Sequence, residues 1–122
     1  MNDLVSGDLC ISIDRDRAGG TIRLLWKGKS NDRQPAKVLG PYLQGILEVA
    51  AMLPASVELH FEQIEHFNSA TISSIIQLIQ DGRARGVKLI IVFDPQLKWQ
   101  KLSFDALRVF AKTDGLLEIR AS

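Results

Sequence analysis

Short segments in which apolar and polar residues alternate are the feature that most restricts the fold of this chain. In segments 9–14, 22–27, 57–62 and 116–120, apolar residues recur at alternate positions, which is typical of strands with one buried face. Segment 87–93, VKLIIVF, is more continuously apolar and predicts a central strand. Because strands covered on both faces are apolar throughout, the alternation predicts a sheet with helices mainly on one face.

Apolar residues at helical spacing predict three helices between these strands. The first lies over residues 38–50, where Pro41 is expected to open or kink it. The second carries an isoleucine stripe and ends near Gly86, and the third opens with Asp94-Pro95 as its cap and first turn. Strands and helices alternate from about residue 34, which favours parallel strands joined by right-handed crossovers.

These elements predict a single two-layer α/β domain over residues 1–122, with a mixed, mostly parallel five-stranded sheet. The first two strands are expected to form an antiparallel hairpin. With 122 residues, of which 46% are hydrophobic, the chain is long enough to fold around one core. The lone Cys10 has no partner for an internal disulfide.

Composition argues against several classes of function. A formal net charge of +1 gives no strong attraction for nucleic acid or for a membrane surface. No apolar run reaches the ~18 residues of a membrane span. Residues 1–8 are acidic and lack the pattern of a signal peptide, which predicts a cytoplasmic protein without membrane insertion.

Patterns of catalysis, metal binding and nucleotide binding are weak. His60 and His66 lack a convincing set of further metal ligands, and no catalytic arrangement of nucleophile, base or paired carboxylates stands out. Residues 28–30, Gly-Lys-Ser, match the end of a phosphate-binding loop, but Arg23 stands where its first glycine is needed. We therefore expect no enzyme activity, no cofactor and no metal.

The turn before the second helix, HFNSATI at 66–72, carries the functional prediction. Asn68 and Ser69 are both good helix N-cap residues. A phosphate on a hydroxyl there would meet free backbone N–H groups and the positive end of the helix dipole. The alternative is that the two residues only cap the helix.

The side of the second helix opposite its isoleucine stripe is small and nearly uncharged over two turns. Such a face lets another protein approach closely and leaves few charges to desolvate. The alternative is an ordinary polar surface that is rich in serine. The predicted partner-binding face consists of Ala70, Ser73, Ser74 and Gln77.

Residues 56–120 resemble the STAS domain, the fold of bacterial anti-sigma-factor antagonists. The resemblance rests on the strand VELHFEQI, the turn FNSA, the isoleucine-rich helix, RGVK, the strand LIIVFD and the closing DGLLEI. It implies partner switching, in which a kinase phosphorylates a hydroxyl at this helix start and a phosphatase removes the phosphate. Ser69 is the acceptor that the motif supports and Thr71 a weaker one, while Asn68 replaces the usual aspartate and Ala70 the second hydroxyl residue.

Residues 28–30 and the turn Phe67-Asn68-Ser69 also resemble the SiaC-type regulators, which have a Gly-x-Ser loop and an aromatic-Phe-Asn-Thr turn. This resemblance implies phosphorylation of Ser69, and a kinase/phosphatase and a diguanylate cyclase as partners. It also accounts for asparagine in place of aspartate.

The sequence thus predicts a non-catalytic signalling switch of the anti-sigma-factor-antagonist type. The implied partners are a Ser/Thr protein kinase, which can itself be an anti-sigma factor, and a PP2C-type phosphatase. Three alternatives stay open: a SiaC-type regulator of a diguanylate cyclase, a structural STAS subunit of a transporter, and a small α/β enzyme or ligand-binding domain.

Overall fold

The computed structural model describes residues 1–16 and 18–122, which form one six-stranded sheet and three α-helices. In chain order the elements are β1 (Leu4–Ser6), β2 (Leu9–Arg15), β3 (Thr21–Ser30), α1 (Ala36–Met52), β4 (Ser56–Phe67), α2 (Ser69–Ala84), β5 (Leu89–Phe93), α3 (Lys98–Leu107) and β6 (Leu117–Ala121). A short 3-10 turn, Arg108–Phe110, follows α3.

The strands lie side by side in chain order. β1, β2 and β3 pair antiparallel, and β3 to β6 pair parallel, which confirms the predicted mixed sheet. The predicted strand count of five is wrong by one. β1 has three residues and turns back through Gly7 and Asp8, so it is too short for a readable alternation.

Only one face of the sheet is buried beneath helices, as the alternation predicted. Leu24, Leu59 and Ile91 on that face have no exposed surface. The opposite face carries charged side chains, and there the two ring nitrogens of His60 lie 2.8 Å from Glu58 and 2.9 Å from Glu62. The domain therefore has two layers.

Two helix starts differ from the sequence expectation. α1 begins at Ala36 and continues through Pro41, so Pro41 does not open it. α3 begins at Lys98 rather than at Asp94-Pro95, because Oδ1 of Asp94 accepts a hydrogen bond of 2.9 Å from the Gln96 N–H and closes a separate turn. Within the described ranges, no helix is both long and apolar enough to cross a bilayer.

An aromatic cluster anchors the end of β4 that leads into α2. Phe61 packs on Trp26 with ring centroids 4.8 Å apart and on Phe104 at 4.9 Å. Phe67, the last residue of β4, contacts Phe104 at 5.6 Å and the edge of Trp99 at 5.0 Å. The turn before α2 is thus fixed to the core by the residue that precedes it.

Candidate partner-binding site

The site begins at a glycine that brings two strands unusually close. Gly28 has φ of +90°, and a Cβ there would lie 2.0 Å from the backbone oxygen of Asp8. The pairing of β3 with β4 shifts register between Gly28 and Lys29, whose N–H donates to the same Asp8 oxygen at 3.0 Å. This irregularity redirects the end of β3, where Ser30 is buried at 3% exposure.

Ser30 and Thr71 join the end of β3 to the first turn of α2. Their hydroxyl oxygens lie 2.7 Å apart, and the Thr71 hydroxyl donates to Oδ1 of Asn68 at 2.8 Å. The Ser30 hydroxyl is therefore the donor to Thr71. Since Thr71 is only 1% exposed, the structure argues against it as the weaker phosphate acceptor: its hydroxyl is buried and already bonded.

Asn68 is the N-cap of α2, as predicted. Its Oδ1 accepts from the Thr71 backbone N–H at 2.9 Å, and its own backbone N–H donates to the Ser30 oxygen at 3.1 Å. Its Nδ2 donates to the backbone oxygen of Asp32 at 2.7 Å. Aspartate could supply the cap but not this last bond, which gives a physical reason for asparagine at this position.

Ser69 is the first residue of α2, and its side chain is exposed. Within the described parts of the chain its hydroxyl makes no hydrogen bond, while its backbone oxygen accepts from the Ser73 hydroxyl at 3.2 Å. The two hydroxyl residues at this helix start are thus in opposite states: Ser69 is accessible and Thr71 is held.

A groove of about 600 Å³ runs between α1 and α2, and its lining on α2 begins at Ala70, the residue after Ser69. All four residues of the predicted face, Ala70, Ser73, Ser74 and Gln77, line it. The other side of the groove comes from α1 and the loop before it, which no pattern in the sequence indicated. Those residues include Arg33, Pro35, Ala36, Lys37, Gly40, Leu43 and Gln44.

The groove has an apolar, small-residue middle and charged ends. Arg33 and Lys37 lie along the loop and the start of α1. Asp81 lies on the far part of α2, where its carboxylate accepts from Gln77 at 2.9 Å and from Gln44. Such a surface suits a partner that brings an apolar segment into the middle and polar groups to the ends.

The described residues contain no cluster of three or more His, Cys, Asp or Glu side chains that could hold a metal ion. Gly28 and Ser30 matched only the end of a phosphate-binding loop. In the structure, Gly28 allows the close approach to Asp8, and Ser30 bonds to the Asn68 N–H and to the Thr71 hydroxyl.

No protein-family model matches the chain, and no curated protein sequence matches it significantly. Solved structures do match. A chain in the crystal structure of the diguanylate cyclase SiaD with its activator SiaC from Pseudomonas aeruginosa is 16% identical at a TM-score of 0.68, and 98% of each chain is covered.

SiaC of Pseudomonas aeruginosa gives 16% identity, a TM-score of 0.66 and full coverage of both chains. An uncharacterised protein from Shewanella loihica with a SpoIIAA-like fold gives 13% identity and a TM-score of 0.57, over 96% of this chain and 90% of that one. The chain therefore has a SpoIIAA-like fold, which it shares with SiaC.

Proposed function

We propose that this chain is a non-catalytic signalling domain that binds partner proteins through the groove between α1 and α2. In this proposal, phosphorylation of Ser69 releases the partner. The observation that carries it is the exposed side chain of Ser69, one residue before Ala70 at the start of the groove lining, while Thr71 two residues later is buried and bonded.

A phosphate on Ser69 would leave the fold intact. The phosphoryl group brings about −1.5 to −2 charges, and the free N–H groups at the start of a helix favour negative charge. The cap made by Asn68 does not use the Ser69 hydroxyl, so the modification breaks no hydrogen bond of the cap.

The effect would fall on the partner. A partner segment packed against Ala70 and Ser73 would have to desolvate the phosphate or stay at a distance from it. Acidic groups on that partner would also be repelled. In this proposal the unmodified form therefore binds the partner, and the phosphorylated form releases it.

For the partner we propose a diguanylate cyclase, with a Ser/Thr kinase and a PP2C-type phosphatase to add and remove the phosphate. Two features support this choice over an anti-sigma factor. The fold matches SiaC, described as an activator of a diguanylate cyclase, over the full chain. In addition, the residues of the SiaC-type resemblance act together at the start of α2. Gly28 allows the close approach of two strands, Ser30 bonds to Thr71, and Asn68 bonds to the Asp32 oxygen.

The test compares Ser69→Ala and Ser69→Asp for binding to the diguanylate cyclase of the same organism, measured by calorimetry. Ser69→Ala should retain the affinity, and Ser69→Asp should lower it at least about tenfold, since one buried, unpaired charge costs more than 1.4 kcal/mol. Thr113→Asp is the matched control, because Thr113 is exposed and lies outside the groove.

Incubation with the kinase and ATP, followed by mass spectrometry, tests the modification itself. Phosphate should appear on Ser69 in the wild type and should not move to Thr71 in Ser69→Ala, because Thr71 is buried. Equal affinity of the alanine and aspartate variants for the cyclase would reject the switch.

A further inference from the structure

A second surface, separate from the groove, lies along the outer side of α3. The inner side of this helix is already packed: Gln100 and Phe104 have no exposed surface, and Leu107 is 4% exposed. On the outer side, Leu102 is 69% exposed and Val109 77% exposed, with the exposed Ala106 between them. The intervals of four and three residues place these apolar side chains in one row along the helix and the turn that follows it.

Single exposed apolar residues are common on proteins, but an aligned row on one helix is a surface that a second molecule can cover. Leu102 and Val109 lie seven residues apart, which is two helical turns or about 10 Å along the axis. That interval matches the i and i+7 positions of an amphipathic helix laid against it.

The charged residues around the row are mostly positive. The segment 98–112 contains Lys98, Lys101, Arg108 and Lys112 but only one acid, Asp105. That carboxylate is already paired, at 2.7 Å with Lys101 and at 3.0 Å with Arg108. The row is thus bordered by an excess of positive charge, although the whole chain is close to neutral.

We infer that this row, Leu102, Ala106 and Val109, is a docking surface for an acidic amphipathic helix of another protein. Apolar side chains of that helix would cover the row, and its carboxylates would face the lysines and Arg108. A second copy of this chain fits poorly, because a symmetric contact would bring the cations against one another. A lipid surface fits poorly too, since Leu, Ala and Val on a ten-residue helix offer little area to insert.

The test uses two designed helical peptides of about 18 residues, long enough to hold a helix in water. Both carry leucine at positions i, i+3, i+4 and i+7, and the flanking positions are glutamate in one and lysine in the other. Titrated into isotope-labelled protein, the glutamate peptide should shift the amide resonances of α3 and bind at least about tenfold more tightly than the lysine peptide.

Three variants locate the contact. Leu102→Ser should weaken binding of the glutamate peptide about tenfold, because the serine side chain buries far less apolar surface against the peptide. Lys98→Glu should lower the preference for the glutamate peptide over the lysine peptide. Met52→Ser removes a still more exposed apolar side chain at the end of α1, at 85% exposure, and should leave binding unchanged.

Several results would overturn the inference: equal binding of the two peptides, resonance shifts outside α3, or no binding of either peptide. Leu102-dependent binding to phosphatidylglycerol vesicles without peptide binding would assign the surface to lipid instead. Leu102-dependent self-association would assign it to a second copy. All of these outcomes are independent of Ser69, so they leave the proposed switch untouched.

Discussion

The two ends of α2 are attached to the rest of the domain in different ways. At the N-terminal end, Ser30, Asn68 and Thr71 share short hydrogen bonds between neutral groups, and Ser30 and Thr71 are buried. At the C-terminal end, Arg83 pairs with Asp114 at 2.7 Å and donates to the Phe110 oxygen at 2.9 Å, with side chains of Arg83 and Asp114 that are 20% and 34% exposed.

The difference shows which end of α2 is held by bonds that do not depend on salt or pH. Buried bonds between neutral groups do not respond to salt or to pH, whereas partly exposed ion pairs are screened and can be titrated. Ser69 stands on the end that stays in place. In the proposed switch, a phosphate on Ser69 would therefore alter the groove surface without loosening α2.

The largest effect is expected from Gly28→Ala, which disturbs the N-terminal attachment at its base. Alanine at a φ of +90° is strained, and its Cβ would meet the Asp8 backbone oxygen at 2.0 Å, so the ends of β2 and β3 must move apart. We expect a loss of about 3 kcal/mol in the free energy of unfolding, measured in urea.

Gly86→Ala is the matched control for that experiment. Gly86 also has a positive φ of +70°, but nothing lies within 4 Å of the Cβ position. Its substitution should cost about 1 kcal/mol, from the backbone conformation alone. Equal losses in the two variants would show that close contact at Gly28 does not support the N-terminal end.

A smaller effect is expected from Asn68→Asp, which replaces the side-chain amide of the helix cap by a carboxylate. The carboxylate keeps the cap on the Thr71 N–H but loses the donor to the Asp32 oxygen and faces that oxygen with negative charge. The free energy of unfolding should fall by about 1 kcal/mol.

Asn31→Asp makes the same chemical change in the neighbouring loop, at an exposed side chain, and should stay within about 0.5 kcal/mol of the wild type. If Asn68→Asp were as stable as the wild type, the bond to Asp32 would not explain the asparagine.

Much of the fold could be predicted because the alternation of β2, β3 and β4 directly encodes one buried face. The two wrong predictions, the strand count and the start of α3, have local causes. β1 has only three residues, too few to show an alternation of apolar and polar positions, and α3 starts later because Asp94 closes a separate turn. Side-chain bonds of that kind leave no periodic pattern in the sequence.

Of the candidate groove, only one side could be predicted from the sequence. The residues of α2 that line the groove follow from helical geometry around the isoleucine stripe. Its α1 side and the loop with Arg33 depend on how two helices pack, which no local pattern specifies. The burial of Thr71 depends on Ser30, which is 41 residues away in the chain.

The smallest effect concerns the C-terminal end of α2 and is a dependence on pH. The Arg83 guanidinium, with the Leu116 N–H as a second donor, holds the pKa of Asp114 below its ordinary value. A carboxyl group with a lowered pKa in the folded state stabilises the fold above its unfolded pKa of about 4, and that contribution is lost as the pH falls through the folded value. The wild type should therefore be more stable than Asp114→Asn at neutral pH, and the difference should vanish in strong acid. The loss in the free energy of unfolding caused by Gly28→Ala, which involves no titrating group, should stay constant over the same range. Urea unfolding across that range could instead show a constant difference in this free energy between Asp114→Asn and the wild type. In that case the ion pair at the C-terminal end of α2 would be as independent of pH as the hydrogen bonds at its N-terminal end.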